Sequence, residues 1–134
     1  MMLVDTYVAP SEIEGLGLFA AQDVPEGTRI WRLDPGFDLV LTDERLAEMA
    51  EWQHNYFKRY CFKWNGLFYF CIDNARYMNH SENYNVFDYP DGTYATRDIK
   101  AGEEITCDYA HMGDTEDDLK HNLLSNAELT KWKK

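Results

Sequence analysis

Cysteine is scarce in this chain, and what there is of it is poorly spaced for chemistry. Cys61, Cys71 and Cys107 are an odd set with no CxxC pair, which argues against a disulfide framework or a zinc site and for reduced thiols in an intracellular protein, cytoplasmic or nuclear. The histidines, His54, His80, His111 and His121, show no HExxH and no paired spacing, so no bound metal is expected. No apolar run approaches the ~20 residues of a membrane span, and no basic stretch followed by an apolar one opens the chain, so neither a membrane role nor a secretory leader is expected. Four prolines and eight glycines in 134 residues are too few for a disordered chain, and there is no repeat or low-complexity linker. A GxSxG elbow is missing, and Ser81 directly follows His80, so a Ser/His hydrolase is a poor reading. Basic residues are also short: 13 Lys and Arg against 24 Asp and Glu leave a net charge of −11. That balance repels phosphate backbones and makes nucleic acid a poor partner. It attracts lysine-rich protein tails, and it equally serves to keep a small protein in solution.

What the chain does contain is core-forming material. Apolar residues make up 45% and aromatics 15%, enough for one domain over residues 1–134. "GLGLFAAQDVPEGTRIWRL" reads as strand, turn, strand, with Pro25-Glu26-Gly27 as the turn. "DERLAEMAEWQHNYFKRY" reads as one helix, capped by Thr42, with Asp43 and Glu44 in its first turn. Leu46, Met49, Ala50 and either Tyr56 or Phe57 form its apolar face. "FKWNGLFYFCID" reads as two strands about Asn65-Gly66. "YATRDIKAGEEITCDY" reads as strand, turn and strand. "TEDDLKHNLL" suggests a short helix behind Thr115. Many short strands with helical inserts predict an α+β, mainly β fold.

One segment stands apart. "NARYMNHSENYN", residues 74–85, is dense in asparagine yet carries Tyr77 and Met78, which read as core residues. It is either a decorated turn or a polar segment drawn into the interior to hold something polar. Glu14-Gly15-Leu16-Gly17, taken alone, reads as a bulge or a close backbone approach; it lacks the third glycine and following helix of a dinucleotide fingerprint. Tyr109, after "GEEITCD", is a core tyrosine or a hydroxyl aimed at a polar reactant.

Taken in order, these three segments resemble the SET-domain family of protein lysine methyltransferases. That family carries a G-x-G turn with a following hairpin, an R-F-x-N-H-S-C-x-P-N segment, and a G-E-E-L-T-x-D-Y ending. The resemblance covers about residues 8–110. It implies small curved β-sheets around a C-terminal pseudoknot, in which the Asn79-His80-Ser81 segment is threaded beneath a late loop. The implied cofactor is S-adenosylmethionine, with Gly15, Leu16 and Gly17 near its methionine portion and Asn79 and His80 holding its methionine and adenine portions. Tyr109 then lies where cofactor and substrate lysine meet, as the catalytic residue, and Arg76 braces the fold. Phe37, Tyr56, Tyr69 and Trp132 are candidate walls of the lysine channel. The family's Cys-x-Pro is replaced by Glu82-Asn83-Tyr84, and no cysteine-rich flank accompanies it, so no zinc cluster is expected. The C-terminal helical tail, residues 111–134, is the material left to close the channel, or a second copy of the chain could do so as a homodimer. The implied activity is methyl transfer to lysine in a basic protein such as a histone; the alternative is a catalytically silent SET module that binds a lysine-rich peptide or protein.

Overall fold

The computed structural model describes residues 1–64 and 66–111. The short helix expected behind Thr115, the closing tail and Trp132 lie outside the described residues.

The strands are β1 (Thr6–Pro10), β2 (Leu16–Ala20), β3 (Arg29–Trp31) and β4 (Leu39–Leu41). Two helices follow, α1 (Asp43–Ala47) and α2 (Glu51–Tyr60). The remaining strands are β5 (Cys61–Trp64), β6 (Leu67–Phe70), β7 (Asn79–His80), β8 (Val86–Tyr89), β9 (Gly92–Ala95) and β10 (Thr106–Cys107). Short 3₁₀ turns occupy Asn74–Tyr77 and Tyr109–His111. Among the described residues the strands form four small sheets in the orders β1-β2, β10-β7, β3-β9-β8 and β4-β6-β5. All pairings are antiparallel except β7 with β10, which is parallel.

Pairing follows burial more than sequence adjacency. β2 and β3 exist on either side of the Pro25–Gly27 turn, but they do not form a hairpin with each other. β2 pairs with β1, and β3 pairs with β9. Between them Val24 and Ile99 exchange both backbone hydrogen bonds, at 2.7 and 2.8 Å, because both are buried and their side chains must reach the same core. Likewise β9 and β10 are strands, but their partners lie elsewhere. Residues 102–105 return against β2 instead, with Ile105 N–H donating to the Leu18 carbonyl at 2.7 Å. β5 and β6 pair antiparallel, as expected, with Trp64 opposite Leu67.

The single expected helix is two. Thr42 caps α1, its hydroxyl accepting from the Arg45 N–H at 3.1 Å. Backbone at Ala50 is then extended, with ψ 156°. Gln53 reaches back to accept the Ala50 N–H at 2.8 Å, and a ring nitrogen of His54 meets the Leu46 carbonyl. A continuous helix would carry a polar Gln53 on its buried face; the break lets Gln53 and His54 satisfy the helix ends instead. Leu46, Met49 and Phe57 pack on a small cluster of Leu41, Cys61, Phe68 and Phe70. Tyr56 stays 47% exposed and meets the cluster only at its edge, its ring 6.0 Å from that of Phe70.

The main core is built from β2, β3, β8, β9 and β10 with Val24, Met78, Ile99, Ile105 and Tyr109 from the connecting segments. Leu18, Ile30, Val86, Ile99, Ile105 and Cys107 are all 0 or 1% exposed. The inclusion of Met78 and Tyr109 places the asparagine-rich segment against the interior.

Candidate active site

Three distant pieces of chain converge beside this core. The first is the turn between β1 and β2, closed by Ser11 N–H donating to the Gly15 carbonyl at 2.8 Å. Gly15 has φ +49°, a left-handed value that glycine adopts without steric cost, and open space where a side chain would begin. The second is β7, and the third is residues 103–109 around β10.

Asn79 fastens all three together. It is 2% exposed, and its amide nitrogen lies 3.1 Å from Ser11 Oγ, 3.2 Å from the Glu14 carbonyl, 3.3 Å from the Leu16 carbonyl and 3.0 Å from Glu104 Oε2. Two N–H bonds are thus shared among four acceptors. Its main chain pairs with Thr106 in the parallel ladder. Asn85 completes the crossing from the other side: its Nδ2 donates to the Glu104 carbonyl at 2.8 Å and its Oδ1 accepts from Thr106 N–H at 2.9 Å. The polar segment is therefore interior because its amides stand in for strand backbone where two short strands cross, which satisfies groups that would otherwise be buried bare.

Tyr109 sits directly beneath. Its N–H donates to His80 Nδ1 at 3.1 Å, and its hydroxyl donates to the Met78 carbonyl at 2.7 Å. The acceptor role places the His80 ring proton on Nε2. Asp108 Oδ1 lies 3.7 Å from the same Nδ1, too far for a hydrogen bond and facing a lone pair already engaged, so we read no ion pair there. The His80 and Tyr109 rings are 5.3 Å apart and tilted by 50°. Burial pushes the Tyr109 phenol well above its usual range, and Cys107, Glu14 and Glu104 add to the rise electrostatically. The group is held as a neutral hydroxyl donor.

Met78 connects this junction to a cavity of about 520 Å³. While its carbonyl receives the Tyr109 hydroxyl, the residue itself lines the cavity, together with Trp31, Phe62, Tyr69, Arg76 and Asp88. Trp31 Nε1 and Arg76 Nε are buried donors with no hydrogen-bond partner among the described residues. Arg76 also lies over the rings of Tyr77 and Tyr60, at 4.9 and 5.8 Å from their centroids.

The expected site residues divide accordingly. Gly15, Leu16, Gly17, Asn79, His80 and Tyr109 come together at the crossing. Of the four suggested channel aromatics, Tyr69 lines the cavity; Phe37 and Tyr56 lie outside its lining, at 38% and 47% exposure. Ser11, Asn85 and Glu104 were not singled out by sequence reasoning. Asn85 had a legible signal, since it falls on the last asparagine of the N-H-S-C-x-P-N pattern. Glu104 and Ser11 had none, because only the fold brings them within 2.6 Å. Cys61, Cys71 and Cys107 are buried free thiols. Among the described residues no group of three or more His, Cys, Asp or Glu could hold a metal, and no helix is long and apolar enough to cross a membrane.

Comparison with known proteins places this geometry. The SET domain family model matches residues 15–110. The Drosophila melanogaster histone-lysine N-methyltransferase trr is 31% identical over 125 residues, covering 78% of this chain; the chain spans about 5% of that protein's length. Among solved structures, a Plasmodium falciparum protein assigned as a histone methyltransferase superposes with TM-score 0.60 at 18% identity, over 82% of this chain and 96% of the other. A humanised mutant of Chaetomium thermophilum Polycomb Repressive Complex 2, bound to the inhibitor GSK126, gives TM-score 0.62 at 22% identity, over 83% and 16% of the respective chains.

Proposed function

The chain belongs to the SET-domain family, and from that premise we propose that it transfers a methyl group from S-adenosylmethionine to a lysine side chain of a basic protein, with a histone tail as the model substrate. The observation that carries the proposal is the Tyr109 hydroxyl bonded to the Met78 carbonyl. Met78 in turn lines an aromatic-walled cavity, whose lining includes Trp31, Phe62 and Tyr69 but none of Gly15, Leu16, Gly17, Asn79, His80 and Tyr109.

The residues at the crossing suit the donor's chemistry. A glycine turn with no side chain in the way offers backbone to an amino-acid moiety. The carboxylates of Glu14 and Glu104 suit a cation, and the half-buried His80 offers a face to an aromatic base. When bound, S-adenosylmethionine supplies an electrophilic methyl to an uncharged lysine amine, the C–S electron pair staying on sulfur and the amine proton passing to solvent.

The chain's own contribution is alignment and polarity. A free lysine amine has a pKa of about 10.4, and entry into a site walled by Trp31, Phe62 and Tyr69 disfavours the charged form. Asp88 and Asp91 line the same cavity and attract the ammonium before that proton is lost. Tyr109 and the Met78 carbonyl orient the amine for in-line approach, which supplies much of the acceleration.

Transfer of radiolabelled methyl to histones and other basic proteins tests the reading. Wild type should label a lysine, and Tyr109→Phe should lose about 10²–10³-fold in kcat while its circular dichroism spectrum is unchanged. Cofactor binding with no labelling of any basic protein would identify the silent peptide-binding module instead.

A further inference from the structure

Gly17 has a second role besides its place in β2, where it pairs with Ala9. A Cβ built on it would stand 2.8 Å from Glu104 Cδ and 2.9 Å from Glu104 Oε2, so the missing side chain admits a carboxylate beneath the turn. Glu104 Oε1 accepts the Ser11 hydroxyl at 2.6 Å, and Oε2 accepts from Asn79 at 3.0 Å. Both donors are neutral. Among the described residues Glu104 makes no ion pair with a lysine, arginine or histidine. A half-buried carboxylate served only by neutral donors is poorly compensated, although a glutamine or a hydroxyl would brace the same segments at smaller cost.

We propose that Glu104 is a specificity-determining residue whose charge makes the site prefer a cationic methyl donor over its neutral spent product. The inference rests on the S-adenosylmethionine reading above. The carboxylate is wedged between Gly17 and Asn79, the segments assigned there to the donor's methionine portion. Its field also reaches the transfer point, since Glu104 is among the groups that raise the Tyr109 phenol. Loss of the methyl turns the sulfonium into a thioether and cancels this attraction, so turnover itself loosens the product.

Calorimetric titration of the full chain with three ligands tests this: S-adenosylmethionine, the analogue with an amine in place of the sulfonium, and S-adenosylhomocysteine. Wild type should bind both cationic ligands at least about tenfold more tightly than the neutral one. Glu104→Gln should weaken the cationic ligands by about tenfold and leave the neutral one within about twofold. Equal weakening of all three would reduce Glu104 to a brace and overturn the proposal. Equal affinity of wild type for S-adenosylmethionine and S-adenosylhomocysteine would also overturn it, and that comparison needs no variant to fold. Binding of none of the three to folded wild type would remove the cofactor reading itself, and this inference with it.

Discussion

Tyr109 carries two hydrogen bonds with different roles. Its backbone N–H fixes the His80 tautomer, and its hydroxyl closes on the Met78 carbonyl. Because burial and nearby negative groups raise the phenol, the folded protein keeps a proton that the unfolded chain releases from about pH 10. Above that point the folded state binds more protons than the unfolded one, so stability falls as pH rises. Below it, the stabilisation is fully present. The loss is at most ~1.4 kcal/mol per pH unit for this group. The gap in urea midpoint between wild type and Tyr109→Phe should therefore be constant near pH 8 and narrow above about pH 10. A gap that stays level to pH 11 would show the hydroxyl titrating normally. At the same scale Asn85 replaces a stretch of strand: it is 2% exposed and bonds both Glu104 and Thr106 through its side chain. Asn85→Ala leaves a buried carbonyl and a buried N–H bare, and should cost about 3 kcal/mol in chemical denaturation. Asn85→Asp should be no milder, because it sets an oxygen against the Glu104 carbonyl.

Among the elements, the α1–α2 break is the most accessible to change. Ala50 occupies the N-cap of α2 without a side-chain acceptor, while Gln53 already supplies the returning half of a capping box. Ala50 is exposed, so Ala50→Ser adds the missing half without disturbing packing. A gain of about 1 kcal/mol is expected, read as a rise of roughly 3 °C in thermal midpoint. This break also marks the limit of what pattern alone conveys. Of the apolar face expected at Leu46, Met49, Ala50 and either Tyr56 or Phe57, the packed members are Leu46, Met49 and Phe57 while Ala50 is exposed; that face and the start at Thr42 were legible because both are local properties. The break depends on where Gln53 and His54 find partners, which is not local. Strand existence was legible for the same reason and strand partners were not: β2, β3, β9 and β10 all carry short apolar alternations, but the core chooses their neighbours. Motif order singled out Gly15–Gly17, Asn79–His80 and Tyr109, and the fold brings these residues together at one crossing. Glu104 was hidden because a glutamate in a "GEE" turn looks solvated until Gly17 is folded onto it.

For the molecule as a whole, the proposed function gives charge a part in how a basic substrate would arrive. A net charge of −11 and Asp88 and Asp91 in the cavity lining favour encounter with lysine-rich tails through long-range attraction. The Debye length shrinks from about 10 Å at 0.1 M salt to about 3 Å at 1 M. The KM for a basic peptide should accordingly rise several-fold between low and high salt, with kcat much less affected; a salt-independent KM would assign the acidity to solubility alone.

The parallel pairing of Asn79–His80 with Thr106–Cys107 has a consequence for synthesis. As the chain leaves the ribosome, the glycine turn and the asparagine-rich strand emerge first and wait, with nothing to seat against, until residues 103–107 follow. Non-local closure of this kind forms late. A polypeptide interrupted anywhere before that stretch lacks the crossing that joins Gly15–Gly17, Asn79–His80 and Tyr109, so on the proposed reading abandoned translation products would not sequester methyl donor, and its capture would report that the crossing has closed.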